Sequence, residues 1–450
     1  MSDAGIQYKQ ELSRTLSLID LLLYGIVFMS PIAVFAVYGF VREASEGMVV
    51  LAYLIGCLAM VLTGLSYASM SKAVPIAGSV YHYARASMGQ AFGFIAGWAI
   101  LLDYILLPAL MVLLGGVVMN SAIPAIPIQA WVLFFLTIST AVNFFGVRIT
   151  TRADMVIASI LMFVVLVFIV AALGALYGGA GSGSLTLAPL IPASGINWTL
   201  AVSGASVAVL TFLGFDAIST LAEEVSDGDT RKVGRAIILC LLVMGGLYVF
   251  VSWILTDLST GLVIADASSA AFAIIDARLP WFSLIITVAV GLGTGLGSSI
   301  PPQAAVSRVL FAMARDRQLP APLARVHSRY QTPYVAILFM AVVMAVILLG
   351  FVAHLDALLS LVNFGALVAF LFVNASVIMF HWVKNKSRKI VQHWLAPAAG
   401  FCVIAYVLSG LGASSVKLGL IWLAAGILYY LFLLFVLGRS GDLAIDTAGK

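Results

Sequence analysis

The sequence predicts an all-α polytopic membrane protein of twelve spans, and three observations carry that prediction. Over 450 residues the chain is 63% hydrophobic and only 9% charged, which excludes a set of soluble domains. Apolar runs of about 20 residues recur along nearly the whole length, the length that a helix needs to cross a bilayer. They are continuously apolar, whereas strands of a membrane barrel alternate apolar and polar residues, so a barrel is excluded. The third observation is the side on which the basic residues fall. With the N-terminus cytoplasmic, all 23 Lys and Arg except Arg42, Arg278 and Lys417 lie on the inner side.

That asymmetry makes the formal net charge of +4 an orientation signal, and no nucleic-acid partner is expected. It places both termini in the cytoplasm; a bacterial-type cytoplasmic (inner) membrane is the expected location, with the lipid bilayer and a small-molecule substrate as expected partners. Oligomeric state is left open. Cys57, Cys240 and Cys402 stand alone within spans, without metal-ligand spacing, and are expected to be packing residues.

Residues 1–13 are polar and form a cytoplasmic tail. The first span, about 16–41, continues too far without a small-residue cleavage site to be a signal peptide. Its middle reads Met29-Ser30-Pro31-Ile32-Ala33, where proline breaks the helix and is itself suited to start a second half-helix. A second span, about 47–70, leads to the cytoplasmic segment Pro75–Tyr83. The third, about 91–118, holds Asp103, Tyr104 and Pro108. Spans at about 129–146 and 154–177 complete a first five-helix repeat, residues 14–178. The Gly/Ser/Pro-rich outer loop at about 178–197 has no basic residue and is the expected boundary between halves.

The sixth span, about 198–225, contains Thr211-Phe212-Leu213-Gly214-Phe215-Asp216 and ends at Glu223-Glu224. A seventh at about 236–258 is followed by an outer loop with room for a short surface helix. The eighth, from Trp281 to about 310, is rich in glycine at Gly291, Gly293, Gly295 and Gly297 and continues through Ser298, Ser299, Pro301 and Pro302. Such a run of small residues serves close helix packing or a binding concavity. The ninth and tenth, about 333–353 and 356–380, complete a second repeat over residues 198–382. Two C-terminal helices lie within 393–438, and 439–450 is a cytoplasmic tail. The interruptions in the first and sixth spans are five spans apart, so those spans run in opposite directions, as in an inverted repeat with paired broken helices.

Asp103 and Asp216 are the two carboxylates placed deep in the bilayer, where a charge costs roughly 2.5–3.5 kcal/mol on insertion scales. No Lys or Arg lies at the same depth; Arg308 is the nearest, close to the cytoplasmic end of its span. Each acid therefore needs a cationic ligand, a proton, or hydrogen bonds from hydroxyls and amides. Amides of Ile32, Ala33 and Val34 at the start of a half-helix would present a positive dipole end suited to a carboxylate. An amino acid needs both poles, whereas a diamine needs only the acids. Glu223 and Glu224, near the inner end of the sixth span, are expected to act as a gate or as interface charges.

Several motifs occur together: Pro75-x-Ala77-Gly78-Ser79-x-Tyr81-x-Tyr83, Gly97-Trp98 with Leu102-Asp103-Tyr104, and Gly214-Phe215-Asp216 with Ala222-Glu223-Glu224. They are followed by Ser307-Arg308-x-x-Phe311-Ala312-Met313-Ala314-Arg315-Asp316, Leu319-Pro320 and Thr332-Pro333. With this ordered set the chain resembles the amino acid-polyamine-organocation transporter superfamily along essentially its whole length. Ser30-Pro31 and Asn363–Phe370 make it most similar to the bacterial putrescine importers within it. The resemblance implies a LeuT-type fold of five plus five inverted helices, with a central site between the first, third, sixth, eighth and tenth spans. Carried over by position, the substrate site comprises Ser30, Ile32, Ala33, Asp103, Tyr104, Phe212, Gly214, Phe215 and Asp216.

Two departures bear on substrate and coupling. Phe35-Ala36-Val37 stands where the putrescine importers carry an acid, which moves the expectation toward amino acids. Leu161 stands where related cationic amino acid transporters carry a lysine in place of a sodium ion. The expected function is a secondary active transporter importing an amino acid or related amine by alternating access. No cofactor is expected, and a proton is the expected coupling ion. The alternatives are a putrescine or polyamine importer and a sodium-coupled symporter, for which Ser298 and Ser299 would supply oxygen ligands. An enzyme is not expected: the histidines lie at span ends or in loops, and no Walker A motif is present. A channel or non-transporting sensor on the same fold would need a continuous polar lining, which the spans do not offer.

Overall fold

In a computed structural model of the chain, the described residues are 16–75, 79–145, 147–193, 195–226, 228–315, 319–330, 332–351 and 354–435. The N-terminal tail and the Ala77-Gly78 motif positions therefore lie outside them. Helices dominate, and no strand is named among the described residues. Among the described residues, nine helices are long and apolar enough to cross a membrane, two further pairs qualify as broken spans, and one more apolar helix is shorter. The apolar composition noted above is thus organised as a multi-pass membrane protein.

The first broken span is α1 (Leu18–Met29) followed by α2 (Ala33–Ala44), bent by 49°. A capping box starts α1: the Ser17 amide donates to Asp20 Oδ2 at 2.8 Å, and the Asp20 amide donates to Ser17 Oγ at 3.3 Å. Pro31 does not begin the second half-helix. The Ala33 amide donates to the Ser30 carbonyl at 3.0 Å, closing a turn in which Pro31 occupies the position that favours proline. Ser30 adopts φ 58°, a left-handed conformation uncommon for a side chain bearing Cβ.

Helices α3 (Val49–Ala73), α4 (Ser79–Met88), α5 (Gln90–Ala122), α6 (Ile128–Phe145) and α7 (Val147–Tyr177) follow. Of these, α5 is the most enclosed span, with 83% of its apolar window buried, and it packs along α4, α6 and several later helices. The second broken span is α8 (Trp198–Ala208) with the tight turn Val209–Phe212, then a 3-10 stretch Phe215–Glu224, bent by 42°. The α1 half of the first broken span packs beside Phe215–Glu224, and α2 packs beside α8. The two broken spans therefore lie antiparallel, with their interruptions side by side.

Next come α9 (Arg231–Leu258), α10 (Ala270–Arg278), α11 (Pro280–Leu292) and α12 (Ile300–Arg315). The short helix α10 is not free on the surface: Ala270, Ala271, Phe272, Ile274 and Ile275 are buried, and it packs against α2 and α11. Between α11 and α12 the glycine run forms a π turn, Gly293–Gly297, and Pro301 and Pro302 sit in the first turn of α12, where their missing amides cost least. Close packing explains these glycines. A Cβ at Gly115 of α5 would come within 2.5 Å of the Gly295 Cα, so the two backbones meet directly.

The last helices are α13 (Tyr334–Phe351), α14 (Leu355–Val377), α15 (Ala396–Ser409) and α16 (Ala413–Phe435). The final pair is peripheral: only 22% and 17% of the two apolar windows are buried. Trp98 of α5 and Trp422 of α16 fasten it, stacking at 4.8 Å while each indole donates to the other residue's carbonyl at 2.9 Å. These paired bonds satisfy both ring N–H groups in an apolar setting.

Candidate functional site

The two interruptions meet at the centre of the molecule, in contact with α5, α9 and the α11–α12 turn. Gly214 has φ 111° and ψ −17°, a left-handed conformation suited to glycine. A Cβ there would run into the Phe28 ring of α1, so glycine is also what allows the two broken spans to touch. Opening the sixth span at Leu213-Gly214 turns the next residues inward, and Asp216 ends up only 1% exposed.

Asp216 has donors on both oxygens. The Tyr104 hydroxyl donates to Oδ2 at 2.7 Å, and the Gly214 amide donates to Oδ1 at 3.3 Å. Asp103, one residue before Tyr104, is equally buried, yet its Oδ1 has no hydrogen-bond partner. Gly365 of α14 lies against the Asp103 backbone, where a Cβ would approach the Asp103 nitrogen to 2.8 Å. No Lys or Arg among the described residues pairs with either acid.

The first break presents backbone rather than charge. The Ala33 amide is occupied by the Ser30 carbonyl, whereas the Ile32 and Val34 amides find no acceptor among the described residues. Ser30 Oγ is buried without a partner. The carbonyls of Met29 and Ser30, freed by the break, both accept from the Tyr248 hydroxyl of α9, at 2.7 and 3.0 Å. One pole of the site thus offers amides and a hydroxyl, and the other offers carboxyl groups.

Of the remaining residues flagged by the sequence, Phe215 forms an aromatic floor with Tyr67 at 5.5 Å and Phe370 at 5.3 Å. Phe212 stands edge-on to Tyr248 at 5.4 Å and against Gly56. Ile32 packs against Gly293 of the π turn, as does Leu161, so an apolar side chain fills the place compared with a lysine above. Ser298 and Ser299 spend their hydroxyl protons on their own turn, on Gly293 O at 3.3 Å and Gly295 O at 2.6 Å. The side chains of Glu223 and Glu224 lie outside the described residues.

Three residues belong to this centre that sequence reasoning did not single out as site residues. Tyr248 repairs the first break, and Tyr67 stands between Phe215, Phe370 and Tyr83 with its hydroxyl buried and unpartnered. Ser219 donates to the Asp216 carbonyl at 2.6 Å and meets Ser79 of α4 at 3.1 Å, tying the second break to that helix. Buried tyrosine hydroxyls in apolar helices were the available signal for Tyr67 and Tyr248. Among the described residues there is no group of three His, Cys, Asp or Glu side chains that could hold a metal ion.

Comparison with known proteins matches this architecture to a family. A family model described as "Amino acid permease" matches residues 18–442. The low-affinity putrescine importer PlaP of Escherichia coli (strain K12) is 32% identical over 432 residues, covering 93% of both chains. The branched-chain amino acid permease BcaP of Bacillus subtilis (strain 168) is 28% identical over 463 residues, covering 95% of this chain and 94% of its own. The methylthioribose transporter of the same organism is 29% identical over 455 residues, covering 94% and 93%.

Proposed function

The chain belongs to the amino acid permease family, a family of transporters rather than enzymes, and from that premise we propose that it carries an amino acid or a related amine by alternating access. In this reading it is a secondary active importer of twelve spans, arranged as two inverted five-helix repeats with two extra C-terminal helices. Both termini are cytoplasmic, in the inner membrane of a bacterial cell. Proton coupling is the preferred drive, because Asp216 is a buried acid with no basic partner at its depth and can hold a proton or a substrate ammonium.

The observation that carries the reading is the two-pole centre. Open amides of Ile32 and Val34 beside Ser30 suit a carboxylate, while Asp216, backed by Tyr104 and the Gly214 amide, suits an ammonium group. A diamine would leave the first pole unused. Ala36 and Phe35 are buried in apolar packing, Phe35 edge-on to Phe168 at 4.9 Å, and supply no second acid beyond the break. Similarity to the putrescine importer keeps a polyamine substrate as the second reading. A sodium-coupled symporter would draw on the oxygens of Ser298 and Ser299, whose lone pairs remain available.

A competition screen in proteoliposomes tests the substrate class, with unlabelled amino acids and polyamines set against one labelled substrate. Inhibition by zwitterionic amino acids and indifference to putrescine is the expected outcome; the reverse would replace this reading with the diamine one. Uptake that survives replacement of sodium by choline at fixed pH is expected for proton coupling, and its collapse would identify sodium.

A further inference from the structure

Away from the centre, the cytoplasmic ends of α3, α14 and α15 gather positive charge that the transport site does not use. Past Val377 the tenth-span helix continues as a π turn, Ile378–Lys384, and a second π turn, Val391–Leu395, opens the next helix. The link between them carries Lys384, Lys386, Arg388 and Lys389, and the sequence has no Asp or Glu between Asp356 and Asp442. The ends of α14 and α15 at this link therefore supply no counter-charge of their own.

Two histidines are drawn into the same place. The rings of His381 and His393 stack at 4.1 Å with 12° between their planes. His393 Nδ1 shares a hydrogen bond with Ser387 Oγ at 2.7 Å, and that hydroxyl also accepts from the Lys389 amide at 3.3 Å. His381 Nε2 is shielded from solvent and has no hydrogen-bond partner. Lys72, in the last turn of α3, and Lys389 lie within electrostatic reach of both rings. Among the described residues neither has an ion-pair partner. A positive-inside bias accounts for basic loops, but it does not account for two ring systems, a hydroxyl and a sheltered ring nitrogen converging among them.

Beside the charges lies an apolar apron. Ile390, Val391, Trp394 and Leu395 are exposed, with Val391 at 65% and the Trp394 ring at 43%. An indole among exposed aliphatic side chains, next to lysines and at a span end, is the composition of a bilayer interface.

We propose that this cluster binds an anionic phospholipid, its headgroup phosphate held by Lys72, Lys389 and His393 and its acyl chains lying along Val391, Trp394 and Leu395. The choice of the cytoplasmic leaflet rests on the orientation proposed above; the phosphate site itself does not. One lipid there would bridge α3 to the α14–α15 link. It would steady the inner end of α14, the helix whose Gly365 packs against Asp103.

The test uses the purified full chain in nanodiscs of phosphatidylcholine with and without phosphatidylglycerol, read by native mass spectrometry of retained lipid and by thermal unfolding. Wild type is expected to retain phosphatidylglycerol with a several-fold preference. Lys72→Gln combined with Lys389→Gln should abolish that preference, the corresponding pair of Arg substitutions should keep it, and Lys417→Gln on the opposite face should leave it unchanged. Equal retention of the two lipids by wild type, or an undiminished preference in the double Gln variant, overturns the proposal. Inorganic phosphate added to detergent-solubilised protein separates the sources: the expected result is no thermal shift beyond that of chloride at equal ionic strength. A shift matching that of the lipid would assign the site to soluble phosphate and overturn the lipid. Uptake is not part of the readout, so failure here is distinct from failure of the transport reading.

Discussion

At Ser30 the backbone opened by the break is closed by a tyrosine from another helix, whereas at Gly214 it is closed by the carboxylate two residues further on. The first interruption keeps its polar groups neutral and leaves two amides open; the second brings a full acid into the membrane and needs Tyr104 to support it. A broken helix must satisfy the groups that it frees, because nothing in hydrocarbon will do so. The difference in who satisfies them gives the centre two unlike poles. That asymmetry is what recognition of a zwitterion requires, and a pair of identical breaks would not supply it.

Substitutions at the two breaks should separate these roles. Gly214→Ala is expected to have the largest effect, since it forces a Cβ into a left-handed conformation and into the Phe28 ring. A loss of about 2–4 kcal/mol in thermal unfolding is expected. Adding Phe28→Ala should return the steric part only, and a single variant as stable as wild type would contradict this description of the second break. Tyr104→Phe removes a hydroxyl from a buried carboxyl, about 1.5–3 kcal/mol of interaction. Uptake measured below saturation should fall by about 10- to 100-fold, with a fall in melting temperature from the same lost bond.

At the first break, Tyr248→Phe leaves the Met29 carbonyl without its donor, the Ser30 carbonyl keeping only the Ala33 amide, and should cost about 1–3 kcal/mol of stability. Reduced uptake would accompany that loss, but the preference among substrates should not change, because Tyr248 supports the break without facing the substrate. The smallest effect belongs to α4, which meets the second break through Ser79. Burial, with nearby Arg85 adding to it, pushes the His82 imidazole down from 6.5 to about 4. The unfolded chain therefore takes up a proton that the folded chain refuses between those values, so stability is intact above about 6.5 and declines as pH falls toward 4. His82→Gln should flatten that decline in melting temperature; an unchanged slope would remove His82 from it.

The same contrast explains how much of the molecule was legible in its sequence. Gly214 and Asp216 announce their break locally, through a flexible residue and an acid two positions apart, and Ser30-Pro31 announces the other. Asp103, Tyr104 and Asp216 were each visible as polar residues in apolar runs, but the Tyr104 bond to Asp216 joins α5 to the sixth span and exists only in the fold. Tyr248 gives no local sign of its role, since the carbonyls that it serves belong to α1. Phe212 was placed in the site by position alone. The tight Val209–Phe212 turn has about three residues per turn, not the α-helical value, and leaves the ring facing Tyr248 of α9. Pro31 was suited to start the second half-helix, and the Ser30–Ala33 turn moved that start to Ala33. The glycine run of the eighth span could be read two ways until Gly115 was found against Gly295.

Uptake by proteoliposomes carrying Asp216→Asn, matched to wild type in protein amount and melting temperature, tests the two-pole centre most directly. The expected result is transport reduced to the level of empty liposomes, because the amide that replaces the carboxyl can neither hold a proton nor anchor an ammonium group. Transport at the wild-type rate by a folded Asp216→Asn protein would contradict the role given to this acid and to the break that delivers it.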